Sequence, residues 1–362
     1  MSTVFVIGAG ASHGERLGLL RDRPPQFLDL LPHPPPLTRG FFDVDLLNRL
    51  HFRGAEQEFS RVINHIRAAR LLNDPFGERG WRKLDLEEIF TALEIEREFE
   101  NPESDLGAEL LLVRNDLVRY IRRVIALCTQ YAYGEYYSAL RDALGPNDTI
   151  ITFNWDLLLD QRFVDPSGRL VGQYSKFFAS VKPADMNLHE FSESFYGDGL
   201  FLKLHGSLNW YRCGNRKCQA SKDVTFVPDT QRCLSVCTGI ADVPCGQCGS
   251  EMSSVIVPPL LRKPITEDSV IRSAWGLAWR KLREASRVVV IGFSAAPTDF
   301  YAAWLLRSTI GVRKSVRVDV INPSNKRGSS GHEEFRQRML SIFLQDYDFT
   351  LNDFSQIDEV LR

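Results

Sequence analysis

No apolar run in this 362-residue chain approaches the roughly 20 residues that span a bilayer, so a membrane helix is not expected. Neither sign of charge is in excess. A net charge of -2 leaves no electrostatic footprint for nucleic acid or an anionic membrane. Cysteine is nearly absent outside one stretch: six of the seven lie between residues 213 and 248, and Cys128 stands alone in a helical segment. A strand that begins at residue 3 leaves no room for a signal peptide, so a cytoplasmic, reducing setting is expected. Clustered cysteines are then metal ligands before they are disulfides. The length suffices for a sizeable core, in one large domain or in one domain with insertions.

What is present starts at the N-terminus. Thr3-Val4-Phe5-Val6-Ile7 is a β-branched and aromatic run that ends in Gly8-Ala9-Gly10-Ala11-Ser12-His13-Gly14. This pattern reads as the first strand of an α/β sheet and its ligand loop. Gly8 and Gly10 let the backbone approach a pyrophosphate, and the Ser12 hydroxyl can bond its oxygens. The same glycines would serve a tight turn alone. The third glycine is Gly14 rather than residue 13, a departure from the dinucleotide pattern G-x-G-x-x-G.

Pro24-Pro25 and Pro32 to Pro36 exclude regular helix or central strand and read as a surface connector. From about Gly54 the pattern turns helical. Phe59, Val62, Ile63 and Ile66 recur at helix spacing ahead of the breakers Asn73-Asp74-Pro75. Asp85 with Glu88 predicts a capping box for a helix that carries Ile89, Phe90, Leu93 and Ile95. A long helical stretch follows over 105–144, with a break near Tyr133-Gly134. Residues 41–144 are thus a helical insertion, without repeats or low-complexity segments.

Four later strands are expected to deliver polar residues to one sheet edge. Thr149-Ile150-Ile151 leads to Asn154 and Asp156, then to a helical Leu157-Leu158-Leu159-Asp160. As structure alone, Asn154 is a turn residue and Asp156 a helix N-cap. The run 199–204 ends at His205-Gly206, where the imidazole is either a general base or a buried core group. A helix over 273–285 carries Trp275 and Trp279; the strand 287–291 then ends in Gly292-Phe293-Ser294. The strand 316–321 ends in Asn322-Pro323, and a last helix falls near 333–343. The cysteines pair as Cys213-x4-Cys218, Cys233-x3-Cys237 and Cys245-x2-Cys248, spacings that suit tetrahedral zinc. Cys213, Cys218, Cys245 and Cys248 are the favoured four, with Cys233 and Cys237 at the tip of the segment. The expected fold is α/β: a Rossmann-like parallel sheet (1–40, 145–212 and 251–362), the helical insertion 41–144 and a small zinc-binding module 213–250.

In this order the motifs Gly8-Ala9-Gly10-Ala11-Ser12, Thr152-x-Asn154-x-Asp156, Lys203-Leu204-His205-Gly206-Ser207, the cysteine pairs, Gly292-x-Ser294 and Ile321-Asn322 resemble the sirtuin superfamily. The set is more similar to its bacterial antiphage branch than to the protein deacylases. The resemblance implies that Gly8, Ala9, Gly10, Ser12, Gly292 and Ser294 hold the pyrophosphate of NAD. It further implies Asn154 at the nicotinamide ribose, Asp156 near the nicotinamide amide, His205 as general base and Asn322 at the adenosine ribose. Two departures stand against deacylation. Phe153 and Trp155 replace the Gln and Ile of deacylases, and Gly14-Glu15-Arg16-Leu17-Gly18 replaces their Ile-Pro-Asp-Phe-Arg segment. The resemblance thus implies an NAD+ hydrolase with a structural zinc, against the alternatives of a protein deacylase or an NAD or ADP-ribose sensor. Self-assembly, a separately encoded ATPase or a phage-derived trigger is the partner expected for such a chain.

Overall fold

Among the described residues, ten strands order the chain: β1 (Thr3–Ile7), β2 (Leu17–Leu19), β3 (Ala132–Gly134), β4 (Thr149–Thr152), β5 (Phe201–Lys203), β6 (Gly206–Cys213), β7 (Thr225–Phe226), β8 (Met252–Ile256), β9 (Arg287–Ile291) and β10 (Arg317–Ile321). They come from a computed structural model that describes every residue except 1, 21–31, 44, 47–55, 70–83, 168, 170, 181–198, 216, 240–242, 258–267, 298, 314, 345–346, 348–350, 352 and 362. The expectations on Pro24-Pro25 and Asn73-Asp74-Pro75 fall outside the described residues.

Five strands form one parallel sheet in the order β10-β9-β1-β4-β5. Numbered along the chain, this is the 3-2-1-4-5 order of doubly wound Rossmann-type sheets, read from the β5 edge. Both faces are covered, which is why Val4 to Ile7 and Val288 to Ile291 are unbroken apolar runs. The register then fixes where the motifs meet. Ile321, Ile291, Ile7, Thr152 and Lys203 stand in one row across the sheet, each the last residue of its strand. Gly8, Phe153, Leu204, Gly292 and Asn322 therefore leave the same carboxyl edge. The crevice beside β1, where the winding reverses, is the place such sheets bind ligands.

Two hydrophobic cores follow. The first surrounds the sheet and takes in Ala132, Tyr137 and Leu140, so α5 (Glu135–Ala143) packs on the sheet although it ends the helical stretch. The second is built from α2 (Glu56–Ala68), α3 (Leu86–Phe99) and α4 (Asp105–Thr129), through residues such as Ile66, Phe90 and Leu117. It also contains Leu208 and Tyr211 of β6 and Cys233, Leu234 and Cys237 of α6 (Thr230–Cys237). The helical insertion and the cysteine segment thus share a core.

Several local expectations are corrected. Cys233 and Cys237 are not at an exposed tip; both are buried on α6, which packs against α4. Asp85 caps α3 by accepting from Glu87 N, one residue short of the expected box, and Ile95 is 49% exposed. No α-helix starts at Leu157: Asp156 accepts from Leu158 N at 3.1 Å, and a 3-10 helix follows over Asp160–Phe163. The break near Tyr133 is the strand β3, antiparallel to β2. The helix ahead of β9, α7 (Ser269–Glu284), starts earlier than expected because Asp268 caps it by accepting from Val270 N and Ile271 N.

Candidate functional site

The loops after β1 and β9 are pressed together. Gly8 N donates to Ile291 O and Gly10 N to Gly292 O, both at 2.9 Å. A Cβ on Gly10 would lie 2.7 Å from Gly292 O. Gly292 sits at a φ of 62°, and its Cβ would fall 2.0 Å from Ala11 N. Loop-to-loop packing therefore demands these glycines whatever ligand they meet. Ala9 and Ser294 are exposed at the rim.

Ser12 lies at the centre of the next layer, buried on the short helix α1 (Ala9–His13). Asn154 Nδ2 donates to Ser12 Oγ at 2.9 Å and to Gly8 O at 3.1 Å. Asp156 lies beside Ser12, whose hydroxyl pulls its carboxyl down. Burial raises the Asp156 carboxyl above its ordinary range, against the lowering pull of the Lys203 ammonium. Asn154 is anchored through its nitrogen alone. Its Oδ1 is buried and has no hydrogen-bond partner among the described residues. An orphan acceptor at a topological switch point suits a ligand hydroxyl or a fixed water.

His205 is 6% exposed, two residues past the row of strand ends. Its imidazole packs 5.2 Å from the Phe153 ring and 6.2 Å from Trp275. Phe153 in turn lies 5.5 Å from Phe293 of the β9 loop. Trp155 Nε1 donates to His205 O at 3.1 Å, and Trp275 Nε1 to Leu204 O at 2.8 Å. Phe153 and Trp155, the two departures noted in the sequence, thus build the wall that seats the histidine. Asn322 Nδ2 donates to Phe293 O at 3.2 Å, which ties the β10 loop to the same wall. Gly8, Gly10, Ser12, Asn154, Asp156 and Gly292 form one contact cluster. His205 and Asn322 join it through Phe153 and Phe293.

Three contributors were not singled out from the sequence. Lys203, 1% exposed, donates to Asp156 O and to Asp160 Oδ2, both at 2.7 Å. Asp160 also accepts from Tyr174, to which Trp210 Nε1 donates. This buried pair braces the turn that carries Asn154. Its signals were a lysine inside an apolar strand and its place at the head of the Lys203-Leu204-His205-Gly206-Ser207 motif. Tyr137 and Glu15 reach the loop from the other side: the Tyr137 hydroxyl is 2.8 Å from Ser12 Oγ, and the Glu15 carboxylate accepts from Tyr136 N and Tyr137 N. No local pattern links residues more than 120 positions apart.

The four outer cysteines converge. The Sγ atoms of Cys213, Cys218, Cys245 and Cys248 all lie within 4.8 Å of one another. Cys213–Cys248 is 3.5 Å and Cys218–Cys245 is 3.9 Å. Thiolates about 2.3 Å from a tetrahedral zinc stand about 3.8 Å apart, so the set fits that ion. Backbone N–H groups of Gln247 and Cys248 lower the Cys245 thiol, and Ser250 draws Cys248 down to about 6. Burial pushes Cys213 up to about 12, a penalty that a bound cation removes. Cys213 ends the strand that begins next to His205, roughly 25 Å away along the chain. A zinc held there would be structural.

No helix among the described residues is long and apolar enough to cross a membrane. No family model and no curated protein matches the chain. Solved structures do show likeness. A Sir2 homologue in complex with NAD aligns over 100% of this chain and 91% of its own at 15% identity, with a TM-score of 0.44. A Sir2 homologue with ADP-ribose aligns over 100% and 90% at 16% identity, also with a TM-score of 0.44. A Sir2 bound to acetylated peptide aligns over 99% and 91% at 15% identity, with a TM-score of 0.39.

Proposed function

We propose that this chain is a sirtuin-like NAD+ glycohydrolase that releases nicotinamide and ADP-ribose. The observation that carries the reading is Asn154: its amide nitrogen is fixed by Ser12 and Gly8, while Oδ1 is a buried acceptor with no described partner. Cleaving the nicotinamide bond builds oxocarbenium-like charge on the ribose, so a site must hold that sugar and place a water on its open face. Asn154 Oδ1 would accept from the ribose or the water, and His205 would take a proton from one of them. Gly8, Gly10, Ser12, Gly292 and Ser294 would meet the pyrophosphate, and Asn322 the adenosine ribose. Asp156 accepts from Leu158 N and lies beside Ser12, where it would support the loop as well as stand near the nicotinamide amide. The segment that replaces the deacylase Ile-Pro-Asp-Phe-Arg includes β2, paired to β3, which supports hydrolysis over acyl-lysine chemistry. We read the enzyme as a latent effector of antiphage defence, released by self-assembly, a separately encoded ATPase or a phage component.

The test is nicotinamide release from NAD by purified protein, over a wide range of protein concentration, with and without an acetylated peptide. Release should need no peptide and rise with assembly. His205→Ala and Asn154→Ala should each slow it by about two orders of magnitude or more. Wild-type turnover in His205→Ala would overturn the assignment. Release only with the peptide would make the protein a deacylase, and binding without release would make it a sensor.

A further inference from the structure

The helix α5 lacks a cap of its own. Its N-cap residue is Gly134, which offers no side chain to the free N–H groups of the first turn. The cap comes instead from Glu15, whose Oε1 accepts from Tyr136 N at 2.7 Å and Oε2 from Tyr137 N at 3.1 Å. Gly134 must be glycine for this to happen, because a Cβ there would stand 2.8 Å from Glu15 Cδ. Around this contact, Glu135 N donates to Arg16 O, and Leu17–Leu19 pairs with Ala132–Gly134. The stretch after the first loop and the start of α5 are thus one built unit.

From that unit a single hydroxyl reaches the candidate site. Tyr137, 1% exposed, places its OH 2.8 Å from Ser12 Oγ. A serine hydroxyl has one proton to give and two lone pairs to receive with. Asn154 Nδ2 donates to Ser12. The Tyr137 hydroxyl is its second partner. These two contacts leave one Ser12 valence for a ligand, and they make the orientation of Ser12, with that of Asn154, depend on where α5 stands.

We propose that Tyr137, seated by Glu15, is a positioning residue through which α5 sets the Ser12–Asn154 pair. Its place in catalysis rests on the hydrolase reading, in which Asn154 touches the ribose or the water. Tyr137 itself touches neither. The inference couples the site to the end of the helical insertion, 125 residues from Ser12.

Tyr137→Phe tests it by removing only the hydroxyl. The kcat for nicotinamide release should fall about tenfold, the scale of one hydrogen bond, with KM for NAD within about twofold. The double variant Tyr137→Phe/Asn154→Ala should be no slower than Asn154→Ala alone, because both act through one chain of contacts. Losses that multiply, or an unchanged kcat, would overturn the proposal. A second readout does not need turnover. In 15N-labelled protein the Asn154 side-chain amide, assigned by its loss in Asn154→Ala, should shift in Tyr137→Phe, and in Glu15→Gln should the first variant fold poorly. An unmoved amide refutes the positioning role, whereas a moved amide in a protein that releases no nicotinamide refutes only the hydrolase reading.

Discussion

Replacing Glu15 by Gln should reverse which protein is the more stable as the pH rises. Burial raises the Glu15 carboxyl from 4.5 to about 8, against the N–H groups of Tyr136, Tyr137 and Arg16, with the nearby Asp156 adding to the rise. Below about pH 4.5 the group holds its proton in the folded and the unfolded chain alike, and full stability is present. Between 4.5 and about 8 the unfolded chain ionises while the folded one stays protonated. The folded state then binds more protons, so stability falls as the pH climbs. The whole interval corresponds to about 5 kcal/mol at most, a large part of the 5–15 kcal/mol that typically holds a domain together, on the order of its whole margin.

Gln keeps the shape and cannot ionise. It turns one amide nitrogen toward an N–H that the carboxylate accepted, which costs about 1–2 kcal/mol at every pH. The wild-type protein should therefore be the more stable at pH 4.5, the curves should cross between about pH 5 and 6, and Gln should lead by about 2–3 kcal/mol at pH 8. Urea midpoints of both proteins at pH 4.5, 6, 7 and 8 measure this. The difference isolates Glu15 because the charged neighbours it faces, Asp156 and Arg162, are common to both. A difference that stays constant across this range would show that the carboxyl titrates normally in the folded chain and would refute the argument.

Reduced, freshly purified protein should hold about one zinc, and Cys245→Ser should lose it together with stability, since structural zinc contributes directly to folding. Elemental analysis that finds no metal would contradict the four-thiolate geometry. Gly292→Ala should cost more than Gly10→Ala, because its Cβ meets Ala11 N at 2.0 Å from a left-handed backbone while that of Gly10 meets Gly292 O at 2.7 Å. Strain and overpacking together put the first at about 3 kcal/mol or more; thermal melts that rank the two variants the other way would count against the loop packing.

The sheet was legible because buried parallel strands cannot alternate. Val4 to Ile7, Ile150-Ile151 and Val288 to Ile291 are apolar on both faces, and each ends at a glycine or polar residue where the chain leaves the core. The four metal-site cysteines were legible from spacing alone, because a tight turn fixes the distance between two thiolates. Leu157 to Asp160 misled for the opposite reason. Three consecutive leucines are buried, and a run of that length does not distinguish a helix from a folded turn. Of the pair β2 and β3 only the break near Tyr133-Gly134 left a trace, since three residues carry no measurable period. Tyr137 and Glu15 were invisible for a deeper reason. Each is ordinary in its own window, and only the fold gives the Gly134 N-cap a carboxyl from as far back as Glu15.

That borrowed cap changes what the helical insertion can do. A helix capped by its own N-terminal side chain would keep its stability whatever the first loop did. Here the loop supplies the cap through Glu15, and the helix returns a hydroxyl to Ser12 through Tyr137. Neither half can shift without stranding hydrogen-bonding groups on the other: two helix N–H groups on one side, the Ser12 hydroxyl on the other. The β2–β3 ladder adds a register that a sliding motion must break. The position of α5 and the orientation of Asn154 are therefore one equilibrium rather than two. A trigger that binds the insertion can move that equilibrium only by its difference in affinity for the two positions. It needs no contact with the loops at the sheet edge to do so, because α5 already makes one.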